Sequence, residues 1–275
     1  MIKRRFWVDF VLSGATLIWL ILALAPLLWL LSLSLKTQLQ AFATPPLLIF
    51  KPTFVNYVDL LQNTDFARYF GNSIVVALGS VSLSLLLGVP AAYAFSRQGF
   101  RGKNATLVWI LVVRMTPAMT YVIPFFMIYK TVGLLDTWAS LIILYTLFTL
   151  ALVIWTMQAF FDEVPRSLEE AARVDGATVG QSFVHIVLPV SGPGIAATAV
   201  LCFLFSWNEF LFALVMTRNA ARTAPLAIVN FMAYEGAEWG RIAAGSVLVL
   251  LPVLIFGFVT RKYLVQGLLG GAIKG

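Results

Sequence analysis

Charge is scarce in this chain: Asp, Glu, Lys and Arg make up 11% of its 275 residues, where a soluble domain carries roughly a quarter. Hydrophobic residues reach 60% and the mean hydropathy is +0.91, so the polar surface that a globular fold shows to water is missing. Cys202 is the one cysteine, which excludes an intrachain disulfide and a thiolate metal cluster. His185 is the one histidine; no nucleophile is indicated near it, and it reads as a surface or interface residue. There is no Gly-x-x-x-x-Gly-Lys-Ser/Thr loop to cradle ATP phosphates, no Gly-x-Ser-x-Gly elbow and no His-Glu-x-x-His pair. The longest basic run is Lys3-Arg4-Arg5, too short to read as a nucleic-acid patch. Internal repeats and low-complexity tracts are absent too. These gaps argue against an enzyme, a metalloprotein or a nucleic-acid binder, and no cofactor is expected on this chain.

What the chain does have is long apolar runs. Its length suits about six spans of ~20 residues joined by short loops. They are placed at about 11–35, 69–96, 104–129, 137–161, 191–217 and 242–260, an all-α integral membrane protein forming one membrane domain over 1–275 with lipid around it. The first run continues well past Ala23-Leu24-Ala25, which favours a retained anchor over a cleaved leader. Residues 36–68 are polar and broken by Pro45, Pro46 and Pro52, and read as an external segment lying on the membrane surface. The third span holds Pro117 and Pro124, tolerated in a membrane helix where neighbours satisfy the freed carbonyls. In the sixth, Gly257 is a candidate for close helix approach. With both termini inside, Lys3, Arg4, Arg5, Arg97, Arg101, Lys103, Arg166, Arg173, Arg261, Lys262 and Lys274 are cytoplasmic, eleven against seven outside. This is the expected sense of the positive-inside bias.

Between the fourth and fifth spans lies the one long polar interval, 162–190. Ser167 and Glu170 have capping-box spacing, as do Thr178 and Gln181. Two short helices are expected, the first ending at Gly176, where a left-handed residue is needed, and the second at Pro189. The first places Leu168, Ala171, Ala172 and Asp175 on one stripe, with Glu169 and Arg173 beside it.

Glu170-Ala171-Ala172, then Gly176, Ile186 and Leu188-Pro189 resemble, at every fixed position, the EAA loop of ABC importer permeases. The resemblance implies the type I ABC importer permease fold, with this loop cytoplasmic. Its first helix would be a coupling helix in a cleft of an ATPase subunit, formed here by Glu169, Glu170, Ala171, Ala172, Asp175, Gly176, Ile186, Leu188 and Pro189. It also implies a second, different permease subunit, two ATPase subunits that hold the ATP and Mg, an extracytoplasmic solute-binding protein, and a bacterial-type inner membrane. Trp207-Asn208-Glu209-Phe210 and the ending Gly267 to Gly275 resemble the carbohydrate-type permeases, similar to the second membrane subunit of the maltose transporter. In that group the C-terminal tail reaches between ATPase subunits, which points to Gly271, Lys274 and Gly275; a frayed tail is the other reading. The loop from Arg218 to Gly240 corresponds to the one that meets the binding protein, with Asn230, Tyr234, Glu235 and Trp239 suited to contact.

Two features inside the membrane remain. Arg114, ~14 Å along its span at helical rise, is either an ion-pair or carbonyl ligand, or lines a water-filled cavity, since an unpartnered charge there costs roughly 2.5–3.5 kcal/mol. Glu209 lies too far along its own span for direct pairing to be expected. Trp207, Asn208 and Glu209 mix an aromatic face with polar groups, as sugar recognition requires, though tryptophan also anchors at the membrane boundary. Met119 and Tyr121 complete the candidate cavity. An ion-coupled secondary transporter is the alternative, but it normally shows more intramembrane ionisable groups and an internal repeat.

Overall fold

The computed structural model describes residues 2–233 and 236–272, with side chains for 12–232 and 238–260. Within that range the chain is helical apart from loops and a two-residue antiparallel pairing, Met232–Ala233 with Gly236–Ala237. Four helices are long and apolar enough to cross a bilayer: Leu12–Ser34, Phe66–Arg97, Trp138–Glu163 and Trp239–Thr260. Two bent pairs, Lys103–Met115 with Ala118–Thr131 and Val179–Val190 with Gly192–Trp207, bring the number to six if each pair is one span.

The chain forms two compact units. The first comprises Met1–Ala67 and Ala227–Leu251. Its helix α1, Ile2–Ser34, is uncharged from Phe10 to its end and is exposed from Leu12 to Leu28, with Trp19 74% exposed. A helix apolar all round needs lipid or another protein against it. After α1 the chain is pinned by polar contacts. Asn56 Nδ2 donates to the carbonyls of Ser34 (2.9 Å) and Lys36 (2.7 Å), serving orphan acceptors at the helix end. Lys36, only 2% exposed, donates to Leu47 O at 2.7 Å and lies over the rings of Trp29 and Phe50. Short helices α2, Gln38–Ala41, and α3, Val55–Gln62, occupy the segment read from sequence as external. Arg241 pairs with Asp59 and, at 2.7 Å, with Glu238.

The second unit, Arg68–Leu226 with Pro252–Gly275, is organised on α7, Trp138–Glu163, whose membrane window is the most buried of the four. Packed around it are α4 (Phe66–Arg97), α5 (Lys103–Met115), α6 (Ala118–Thr131), α11 (Gly192–Trp207) and α12 (Leu211–Met216). Lipid tails are as apolar as leucine, so small residues and hydroxyls supply the packing. An added Cβ on Gly88 would come within 2.6 Å of Val153, and one on Gly194 within 2.5 Å of the Phe160 ring. Ser84 and Thr149 share a hydrogen bond at 2.6 Å, and Thr156 and Thr198 one at 3.1 Å. Gly257, the glycine expected to allow close approach, meets open space instead.

The third expected span, 104–129, is not one helix. Pro117 splits it, holding Thr116 extended (ψ 132) as a residue before proline prefers, and α5 and α6 meet at 89°. Pro124 is carried inside α6 without a break. The fifth, 191–217, is also interrupted: α11 ends at Trp207 and α12 starts at Leu211. The sixth is longer than expected, a single helix running from Trp239 to Ala272 and containing Gly271, while Lys274 and Gly275 lie outside the described residues.

Candidate functional site

The polar interval folds as a helical knob between α7 and α11. Its first helix, α8, is Arg166–Val174, and its N-cap is Pro165, with no side-chain cap. The expected Ser167–Glu170 capping box therefore does not form. Proline supplies the fixed φ and extended ψ of a cap and has no N–H to satisfy, so the helix starts two residues early and Ser167 sits inside its first turn. Glu170 is exposed and free of capping duty.

The far end is as read. Gly176 has φ +93, Gly176 N donates to Arg173 O (3.1 Å) and Ala177 N to Ala172 O (2.9 Å), the paired bonds of a Schellman close. Thr178 and Gln181 then form a full capping box on α9, Val179–Ser182. Pro189 does not end this second helix. A wider π turn, Phe183–Val187, takes up the proline ring, α10 (Leu188–Val190) continues the path, and the chain bends 74° at Ser191 before α11.

What fixes the knob to the membrane helices is Glu169. Its side chain is 11% exposed and faces inward: Arg97 Nε donates to Oε1 at 2.5 Å and Tyr93 OH to Oε2 at 2.6 Å. Arg97 Nη2 also donates to Val164 O at 2.9 Å, tying the linker before α8. Phe183 packs against Tyr93 (4.6 Å) and Phe161 (6.2 Å), joining the second helix to α4 and α7. Behind α8, Tyr93, Arg97 and Glu169, with Arg166, Glu170, Arg173 and Ser182, line a hollow of about 270 Å³. Outward, α8 shows Leu168, Ala171, Asp175 and Val174, the last 87% exposed. Ala172, Ile186 and Leu188 are half-buried, and Pro189 is exposed. Tyr93, Arg97 and Phe183 were missed from sequence; an arginine closing α4 was the available signal.

The membrane candidates fall into three situations. Arg114 donates Nη1 to Phe148 O at 2.7 Å and lies over the Phe205 ring at 4.8 Å. It also borders a small cavity of about 140 Å³ that Glu209 shares. Glu209 is not in a helix: its carboxylate accepts from the N–H groups of Phe212 (2.9 Å) and Ala213 (3.2 Å), opening α12. Trp207 departs from the reading as a sugar platform. It is 2% exposed, stacked on Phe203 at 5.3 Å and edge-on to Phe70 at 5.6 Å. Asn208 is exposed, its amide donating to Leu204 O at 2.8 Å; Met119 is 68% exposed and Tyr121 half-buried. Of the loop candidates, Asn230 is exposed and Trp239 is 41% exposed, whereas Tyr234 and Glu235 lie outside the described residues.

One further clamp was not read from sequence. Asp136, at φ 57 between α6 and α7, accepts from the backbone N–H groups of Arg218 (2.9 Å), Asn219 (3.2 Å), Ala220 (3.0 Å) and Ala221 (3.1 Å). Burial pushes its carboxyl up, but these four donors outweigh it and hold it at about 2. The ordinary value is 3.8, so the stabilisation is complete above about pH 4 and is lost as pH falls toward 2. Asp136→Asn keeps a residue that tolerates positive φ and removes the charge together with one of the two accepting oxygens. It is expected to cost about 1 kcal/mol at pH 7, allowing for solvent screening, and to flatten the fall in thermal midpoint between pH 4 and 2 in detergent. An unchanged profile would show that the clamp does not bear on stability.

Residues 84–268 match the family described as binding-protein-dependent transport system inner membrane component. The chain belongs to that family. Its relatives in the family include the trehalose transport system permease protein SugB of Mycobacterium tuberculosis, 40% identical over 256 residues, covering 92% of this chain and 93% of that one. The trehalose/maltose transport system permease protein MalG of Thermococcus litoralis is 36% identical, covering 93% of each. A bacterial ABC transporter that imports the acidic polysaccharide alginate matches with a TM-score of 0.78 at 27% identity, covering 95% of this chain and 96% of that one. This permease is thus a multi-pass membrane protein with the ABC importer permease fold, and the EAA motif and coupling helix are features of its family.

Proposed function

We propose that this family member is a permease subunit of an ATP-driven importer for a sugar or sugar-like solute, an oligosaccharide, a polyol or a modified sugar. The single observation that carries the coupling role is the knob at 162–190: a rigid helix held at its root by buried Glu169, with an apolar and small-residue face left outward. Sugar-class cargo is supported by the trehalose and maltose permeases among its relatives.

In this reading both termini are cytoplasmic, and a second, different permease completes the pathway. Two ATPase subunits hydrolyse ATP outside this chain, and a binding protein delivers solute to the opposite face. Glu170, Ala171, Ala172, Asp175 and Gly176 form the ATPase-facing surface, with Ile186, Leu188 and Pro189 seating the second helix. Gly271, Lys274 and Gly275 are the tail contact with the ATPases, and Asn230, Tyr234, Glu235 and Trp239 the contact with the binding protein. Arg114, Met119, Tyr121, Asn208 and Glu209 border the solute path; Trp207 supports it from the core. Energy passes only if the outward face of α8 binds the two ATPase states unequally, since equal affinity shifts nothing.

The test is reconstitution of the co-purified assembly in proteoliposomes with its binding protein. Uptake of a labelled disaccharide is expected to require ATP and to persist when ion gradients are collapsed. Uptake that follows the gradient and ignores ATP would replace this reading with an ion-coupled carrier.

A further inference from the structure

The loop after the first span folds back along it. Lys36 follows the end of α1 at Ser34, yet its Nζ lies 4.8 Å from the ring centroid of Trp29, a side chain of α1 itself. Trp29 is ~7 Å back from Ser34 along the axis at helical rise. From there the ammonium donates to Leu47 O at 2.7 Å and meets the Phe50 ring at 4.8 Å. Residues 47–50 are therefore held beside the last turns of the span, not beyond its end. The return is closed by Thr53 N donating to Leu35 O at 2.8 Å and by Asn56 Nδ2 on the carbonyls of Ser34 and Lys36.

What the fold places there is apolar and bare. Ile49 is 95% exposed, the most exposed large apolar side chain among the described residues, and Leu48 is 80% exposed. Leu28 and Leu31, on the same stretch of α1, are exposed as well. Lys36 is buried, its charge taken up by two ring faces and a carbonyl. It is the one charged residue between Asp9 and Lys51, so residues 47–50 show no charge to water. Apolar side chains fixed in place and left uncovered mark a surface that something apolar meets. The bilayer is what stands at this level. Leu12–Ser34 is 23 residues, ~34 Å at helical rise, against a hydrocarbon core of about 30 Å. That puts Ser34 at the boundary and Trp29 just inside it, in the belt where tryptophan concentrates.

We propose that residues 47–50 form a wedge that dips below the headgroups of the leaflet at this end of α1, with Leu48 and Ile49 among the upper acyl carbons and Lys36 as the pin that holds them down. The partner is the phospholipid bilayer, and the seating is deeper than that of a segment lying on its surface. Lys51, exposed directly after the wedge, has the long stem that lets a lysine at a membrane boundary keep its ammonium among the lipid phosphates. The wedge ties α2 and α3, which flank it in the chain, to the lipid. It requires only that α1 cross the bilayer, so it stands or falls separately from the solute carried.

The test attaches a fluorophore to Ile49→Cys in the assembled complex, held in nanodiscs of phosphatidylethanolamine and phosphatidylglycerol. The native Cys202 is buried, so labelling is confined to the new site. A nitroxide on the lipid acyl chain near its carbonyl is expected to quench the probe several-fold more than iodide in the water does. Gln62→Cys, exposed at the end of α3, is expected to show the reverse. Adding Lys36→Met to Ile49→Cys should invert the result at position 49, because the loop then loses its carbonyl donor and both cation–ring contacts. Co-purification of each variant with its partner subunits establishes that it has folded. Stronger quenching by iodide at Ile49→Cys would overturn the wedge by placing it in water. Protection from both quenchers would overturn it as well, by showing a protein surface over it. Lipid quenching unchanged by Lys36→Met would overturn the part given to Lys36.

Discussion

Gly176→Val is expected to reduce solute uptake by the assembled importer to background while the chain still inserts and the ATPase subunits still hydrolyse ATP. Gly176 holds φ +93, and its N–H and that of Ala177 close the last carbonyls of α8. A β-branched residue at positive φ is a steric outlier, with strain of order 1–3 kcal/mol. The turn relieves that strain by opening, which frays the end of α8 and changes the angle at which α9 leaves. Membrane helices far from the turn lose nothing, because an added Cβ at Gly176 meets no atom within 4 Å. The defect is therefore one of geometry between motor and lever, and its signature is ATP turnover without transport. Gly176→Asn separates this from simple loss of a glycine, since asparagine visits the left-handed region readily. It should retain most uptake. Measuring uptake and ATPase rate on the same proteoliposomes decides the matter, and normal uptake by Gly176→Val would remove the lever from the mechanism.

Why Gly176 was legible in the sequence and Glu169 was not is a matter of range. The Schellman close at Gly176 and the box of Thr178 with Gln181 are made within five residues, so spacing alone specifies them. Even locally, a stronger signal displaces a weaker one: Pro165 caps α8 and leaves Ser167 without that duty. The break at Pro117 was written in the chain, yet the same residue type passes through α6 at Pro124 and α4 at Pro90. Whether a proline breaks or is absorbed depends on neighbours that a single sequence does not place. The break at 208–210 has no proline at all; there Glu209 trades helix continuity for two backbone N–H partners. Apolar periodicity had no means of distinguishing that trade from a polar residue on a continuous helix. Tyr93 and Arg97 lie more than 70 residues before Glu169, as Asp136 lies more than 80 before the loop that it clamps. Contacts at that separation are set by how the helices pack.

Glu169→Leu is the second substitution expected to have a large effect, and it acts at the root of the knob instead of its tip. The carboxylate is nearly sequestered with Arg97, their side chains 11% and 10% exposed. Removing one member of such a pair strands the other's charge and typically costs 3–5 kcal/mol. The Tyr93 hydroxyl also loses its acceptor. Lower yield of the assembled complex, a lower thermal midpoint and loss of uptake are expected together, so the single variant does not say whether the tether serves stability or transmission. The double variant Glu169→Leu with Arg97→Met does. Replacing a buried ion pair by apolar groups of similar volume is often neutral or better, so the midpoint should return to near that of the parent. Uptake should not return, because α8 then keeps only the longer bond from Arg166 to Ser96 O (3.4 Å) as a directional link to the end of α4, and Val164 has lost the donor that held the linker. Recovery of stability and uptake in parallel would show that the pair only holds the fold. Recovery of stability alone, with ATP hydrolysis continuing, would identify Glu169 and Arg97 as the joint through which motion of the coupling helix reaches the membrane helices.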